Sequence, residues 1–142
     1  MGFTANLVTL DFVAPAIAAA LFVLAMSRVG EPHRRRLNAM LAAGASGVYM
    51  SGGGFGVWEL IYPAIAMPLA YLGLGSYRFI GLAWLTHSAW DIAHHVWGHP
   101  IWPFMPTSSF GCLIFDAGIA MWFVAGAPAA ATRQLGIREL GN

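Results

Sequence analysis

The chain has 142 residues, 58% of them hydrophobic and 9% charged, with a mean hydropathy of +0.66 and a formal net charge of +1. Soluble domains carry roughly 25% charged residues, so this composition argues against a compact soluble enzyme, and it excludes disordered, collagen-like and disulfide-framework classes. All seven basic residues are arginine, which leaves no basic face for nucleic acid, and the single cysteine, Cys112, has no partner with which to form an internal bridge.

A hydrocarbon core of ~30 Å needs roughly 20 mainly apolar residues per helix. Five such stretches are predicted, at about 8–28, 37–55, 57–75, 79–98 and 108–127. They specify an all-α integral membrane five-helix bundle, a single transmembrane domain over residues 1–142. The first stretch does not read as a cleaved signal peptide, because no Lys or Arg precedes it and Arg28 follows it. The second is weakly hydrophobic, with Ala39, Ala43, Gly47 and Ser51 at every fourth position. Such a stripe lets a neighbouring helix approach closely and offers a face for a homo-oligomer or a larger membrane complex. The run Gly52-Gly53-Gly54 is expected to be the turn into the third span.

Orientation follows from Arg28, Arg34, Arg35, Arg36, Arg78, Arg133 and Arg138, which five spans gather on one side. The positive-inside rule puts that side and the C-terminus in the cytoplasm and the N-terminus outside, as in a multi-pass protein of a bacterial cytoplasmic membrane.

Four acids, Asp11, Glu59, Asp91 and Asp116, fall inside or at the edge of these spans. A charged side chain at a helix centre costs ~2.5–3.5 kcal/mol on insertion scales, so these groups must be protonated, hydrated or paired. No Lys or Arg lies within a span to pair them, which leaves histidine, a bound cation or water in a cavity.

The fourth span supplies the histidines: His87, His94, His95 and, at its end, His99. At about 100° per residue, Asp91 lies ~40° from His87, His94 ~20° on the other side and His95 ~80° away. Side chains four apart converge on a helix, so His87, Asp91, His94 and His95 form a candidate metal-ligand set. Asp116 or Glu59 would complete or orient it. The bland alternative is a set of neutral histidines bonding carbonyls or water between helices. With a rise of ~1.5 Å per residue, Asp91 and Asp116 reach nearly the same depth, and all four acids sit in the outer half of the bilayer, opposite the arginines. A cavity there would be electronegative and suit a cation.

Aromatic residues complete the picture. Trp58 and Trp97 are expected to mark the outer interface, and Trp84 and Trp90 to lie deeper. In the connection Gly98–Pro106, Trp102, Phe104 and Met105 are apolar enough to form a lid or an interfacial belt. Trp58, Trp84, Trp90, Trp102 and Phe104 are the candidate lining for a lipophilic small molecule.

The residues Trp90-Asp91, His94-His95, Gly98, Pro100-Ile101, Pro103-Phe104, Pro106-Thr107-Ser108-Ser109, Gly111-Cys112 and Asp116 form a motif. On it, the stretch from Tyr77 to Pro128 resembles a family of small bacterial and fungal integral membrane proteins of unknown function. That resemblance implies membership and no activity. A looser one, carried by Trp58-Glu59 and Asp116, is to emopamil-binding-type sterol isomerases and membrane terpene cyclases. It implies buried carboxylates that protonate an olefin and aromatic rings that hold a carbocation.

Three functions compete. The first is a metal-dependent membrane enzyme with a divalent ion (Zn, Cu or Fe) on His87, Asp91, His94 and His95, with zinc suiting hydrolysis and copper or iron oxidation. The pattern departs from membrane desaturases, which resemble clusters of eight or more histidines. A haem within one chain is not expected, because the intramembrane histidines share one helix. The second is metal-free acid–base catalysis by Glu59, Asp91 and Asp116 on a sterol- or isoprenoid-like substrate. The third is a non-enzymatic accessory subunit or a proton or cation pathway.

Overall fold

A computed structural model describes residues 7–129. Five helices follow one another: α1 (Thr9–Met26), α2 (His33–Ala45), α3 (Ile61–Gly73), α4 (Tyr77–Trp97) and α5 (Ser108–Val124). Short 3-10 turns at Val48–Ser51 and Gly56–Leu60 lie between α2 and α3. The fold is all-α and five-helical, as the hydrophobic pattern predicts.

Among the described residues, α1 is the one helix both long and apolar enough to pass for a membrane span on length and composition. The other helices miss that test for separate reasons. The 21-residue α4 carries Arg78, Asp91 and its histidines, and α5 is a 17-residue helix. The predicted second and third spans are each interrupted. Helix α2 stops at Ala45, where Gly44, Ser46 and Gly47 weaken helix propensity, so 46–60 forms turns and short 3-10 segments instead of α-helix. The Ala39/Ala43/Gly47/Ser51 stripe is therefore not one helical face: Gly47 precedes the first 3-10 turn and Ser51 closes it. Ala39 instead packs inside the fold, close to Gly73 of α3.

Helix ends have local causes. The Asp11 carboxylate accepts the Val8 amide at 2.8 Å, satisfying a donor that the first turn of α1 leaves open. Gly98 ends α4 just before Pro100. The α1–α2 corner is fixed by Arg34, whose Nε donates to the Tyr77 hydroxyl at 2.8 Å while Nη2 meets Glu31 at 3.1 Å. Tyr77 in turn donates to Glu31. Burial pushes the Glu31 carboxyl up, but Tyr77 and the Arg34 and Arg35 guanidiniums outweigh it and hold the group below the ordinary carboxylate value.

Helix α4 is the hub. It packs on α5, α3 and α2, while α1 packs against α5. The core is built of small residues around a few large ones: Ala39, Ala42, Ala70, Ala83 and Ala120 surround Ile80, Ile119 and Phe123. Small side chains let backbones approach. A Cβ on Gly81 would lie 3.0 Å from the Val124 nitrogen and 3.1 Å from the Ala120 oxygen, which shows how tightly α4 and α5 meet. On the other side of α5, Phe12 meets Phe110 edge-on at 5.0 Å, Phe22 meets Phe115 at 5.7 Å, and Thr107 donates to Asp11 at 2.8 Å.

Candidate metal centre

The inward face of α4 carries His87, Ser88, Asp91 and His94, all buried, while Leu85 and Ile92 point outward. This is the face that the 100° periodicity marks out. Opposite it, α5 brings in Asp116, also buried. Each of His87, Asp91 and Asp116 can offer one ligand atom so that all three atoms lie within 4.8 Å of one another. The His87 ring stands between the two carboxylates, with Nε2 3.8 Å from Asp91 Oδ1 and Nδ1 3.5 Å from Asp116 Oδ2. A histidine gives an ion one ring nitrogen, so a shared site would use one of these two nitrogens with an oxygen from each carboxylate, the three atoms lying within 4.8 Å of one another.

The fit has a second sign. Neither ring nitrogen of His87 makes a hydrogen bond among the described residues, although the ring is buried. A buried polar atom without a partner is costly, and a metal ion at one nitrogen removes that cost. The buried His/Asp/Asp cluster is thus capable of coordinating a divalent metal ion.

Aromatic rings wall the cluster. Trp84 stacks on His87 with centroids 5.8 Å apart, and Tyr62 lies 5.0 Å from the same ring. Tyr49, from the first 3-10 turn, donates its hydroxyl to Asp91 Oδ1 at 2.7 Å. That bond orients a ligand carboxylate, the part that outer-shell residues play in metal sites. The sequence reading missed Tyr49 and Tyr62. The available signal for Tyr49 was a lone tyrosine beside the Gly52-Gly53-Gly54 run.

The cluster shares His87 and Asp91 with the predicted set His87, Asp91, His94 and His95, and takes in Asp116. His94 turns to Glu59, with Nε2 3.1 Å from each carboxylate oxygen, and Tyr49 stacks on its ring at 3.5 Å. His95, at the edge of the inward arc, is half-buried, tilts against Phe110 at 5.3 Å and is not one of the three clustered residues. The cluster thus holds one imidazole, His87, with two carboxylates, Asp91 and, from α5, Asp116. Asp11 joins no cluster, being engaged at the start of α1.

The aromatic expectations divide. Trp84 is buried against His87, and Trp90 is half-buried against His94. Trp58, Trp102 and Phe104 do not line the site: Trp58 is 65% exposed, and Trp102 and Phe104 stack on each other at the surface. Trp58 precedes α3 on a 3-10 turn, where 120° spacing turns Glu59 inward and its neighbour out.

No curated protein and no solved structure matches the chain. A family model described as "Family of unknown function (DUF6010)" matches residues 10–129, which takes in all five helices but the first residue of α1, together with His87, Asp91 and Asp116. By this match the chain belongs to the DUF6010 family.

Proposed function

We propose that this protein is a multi-pass membrane enzyme that uses a divalent metal held by His87, Asp91 and Asp116 to act on a lipophilic substrate. The observation that carries the metal reading is His87, a buried imidazole between two buried carboxylates with neither nitrogen hydrogen-bonded. When bound, the ion would supply Lewis acidity at an open coordination position. The protein would orient Asp91 through Tyr49, and Trp84 and Tyr62 would keep water from the ligands.

Membrane placement is supported by the outward-facing residues. Leu10, Ile17, Leu21, Ile65, Met67, Leu82, Ile92 and Met121 are all exposed, an apolar girdle that a water-soluble surface would not carry. The irregular stretch between α2 and α3 fits a bilayer because it is folded against α4, where non-helical backbone is tolerated. Arg28, Arg34, Arg35, Arg36 and Arg78 would face the cytoplasm; Arg133 and Arg138 lie outside the described residues.

The test is metal analysis by mass spectrometry of detergent-purified protein never exposed to chelator or a metal resin. Near-stoichiometric metal that is lost in Asp91→Ala/Asp116→Ala supports the reading. Absence of metal from the wild type, even after incubation with zinc, would sink it. In that event metal-free acid–base chemistry at the same carboxylates becomes the better account, favoured by the aromatic rings stacked around them.

A further inference from the structure

The second buried polar cluster, Glu59 with His94, is set apart from the metal ligands, and its hydrogen bonds restrict its protonation. Both residues are almost fully buried, His94 at 1% exposure and Glu59 at 5%. His94 Nδ1 lies 2.9 Å from the Trp90 carbonyl oxygen. A carbonyl only accepts, so Nδ1 must carry hydrogen. Nε2 then faces both Glu59 oxygens at 3.1 Å. A bare lone pair aimed at a buried carboxylate anion would be repulsive, so a proton must lie between them, on the ring or on the acid.

Surroundings hold that arrangement in place. The Phe55 amide donates to Glu59 Oε1 at 3.0 Å, and Phe55 and Tyr49 cover His94 with rings 4.6 Å and 3.5 Å from it. Gly53 lies directly over the couple, where a Cβ would fall 2.3 Å from Glu59 Oε1 and 2.5 Å from His94 Nε2. Gly53 is itself fixed, its nitrogen donating to the Tyr49 oxygen and its oxygen accepting the His99 amide, both at 2.8 Å. Beside this loop is a polar cavity of about 190 Å³ lined by Tyr49, Gly52, Gly53, Pro100, Ile101 and Pro103.

We propose that Glu59 and His94 form a proton-holding acid–base couple, separate from the metal shell, that keeps one proton between His94 Nε2 and the Glu59 carboxylate. The couple stands whether or not the triad holds metal.

Nitrogen-15 NMR of histidine-labelled, metal-free protein in lipid nanodiscs reads the couple directly, with the His94 signals assigned by their loss in His94→Gln. In the wild type, Nδ1 is protonated and Nε2 shows a shared or bound proton. In Glu59→Gln the amide donates to Nε2, which becomes a bare acceptor, and its signal moves to the neutral value. Zinc stoichiometry is retained by both variants, because neither residue is a ligand. An unprotonated Nε2 in the wild type would overturn the proposal, and that measurement does not depend on any variant folding. So would loss of zinc from a folded Glu59→Gln protein, which would make Glu59 a ligand while leaving the metal reading intact. A wild type that binds no zinc but shows the shared proton would refute the metal reading alone.

Discussion

Tyr49 and Asp91 are joined by a 2.7 Å hydrogen bond across 42 positions of sequence, and through it a 3-10 turn reaches the middle of α4. The same tyrosine stacks on His94, so one side chain touches both buried clusters. Tyr49→Phe keeps the ring and removes the donor. Loss of an outer-shell partner typically weakens metal binding about 10–100-fold. Competition with a chromophoric chelator should show zinc affinity falling by at least ~10-fold with helix content unchanged. Unaltered affinity would detach Tyr49 from the metal site.

Ligand removal should also appear as a loss of stabilisation. A metal that binds the folded state alone adds ~2.7 kcal/mol at a hundred times its Kd. Thermal melts with and without saturating zinc should show an upward shift for the wild type that is missing from Asp116→Asn. An equal shift in both proteins would place the zinc elsewhere.

Glycines on α4 and α5 give a pair of opposite signs. A Cβ on Gly81 meets backbone atoms of Val124 and Ala120 that cannot swing aside. Gly81→Ala should therefore cost about 1–3 kcal/mol, the usual penalty of overpacking. Gly111, near the start of α5, has nothing within 4 Å of its Cβ position. Gly111→Ala should be neutral or stabilising by up to ~1 kcal/mol, the helix-propensity difference. Both are readable from denaturation in mixed detergent micelles.

The Glu31 corner predicts a pH effect. Its carboxyl is held below the ordinary value, so its charged form contributes stability above about pH 4.3, and that contribution is lost as pH falls through the lowered value. The group is 41% exposed, so solvent screening keeps the effect small. Glu31→Gln should melt slightly below the wild type at pH 7, and the two should converge on acidification. A gap that widens in acid would contradict the assignment.

Much of the site was legible in the sequence because α4 is an uninterrupted helix. Fixed angular spacing put His87, Asp91 and His94 on one arc, and depth arithmetic brought Asp116 level with Asp91. At ~80°, His95 lay on the margin of that arc, and its contact with Phe110 shows that the margin fell outside. Periodicity carries no such information once the helix stops. Residues 46–60 read as the ends of two spans joined by a glycine turn, yet their path brings Gly53 over Glu59 and His94. The pairing of Glu59 with His94, and the reach of Tyr49, depend on that path. Spacing alone assigned His94 to the metal because it gives angles on one helix and says nothing of what another segment brings against it.

The docking of α1 on α5 has a consequence for biogenesis. The first of the five described helices finds its principal partner in the fifth. Until α5 is made, Phe12, Phe22 and the small face around Ala19 lack the surface they pack against and stay uncovered by it. The ring contacts with Phe110 and Phe115, and the Thr107–Asp11 bond, would then close the bundle as the final act of assembly. Chains truncated before Ser108 would thus lose both Asp116 and the partner of α1, and quality-control proteolysis should find α1 still unclaimed.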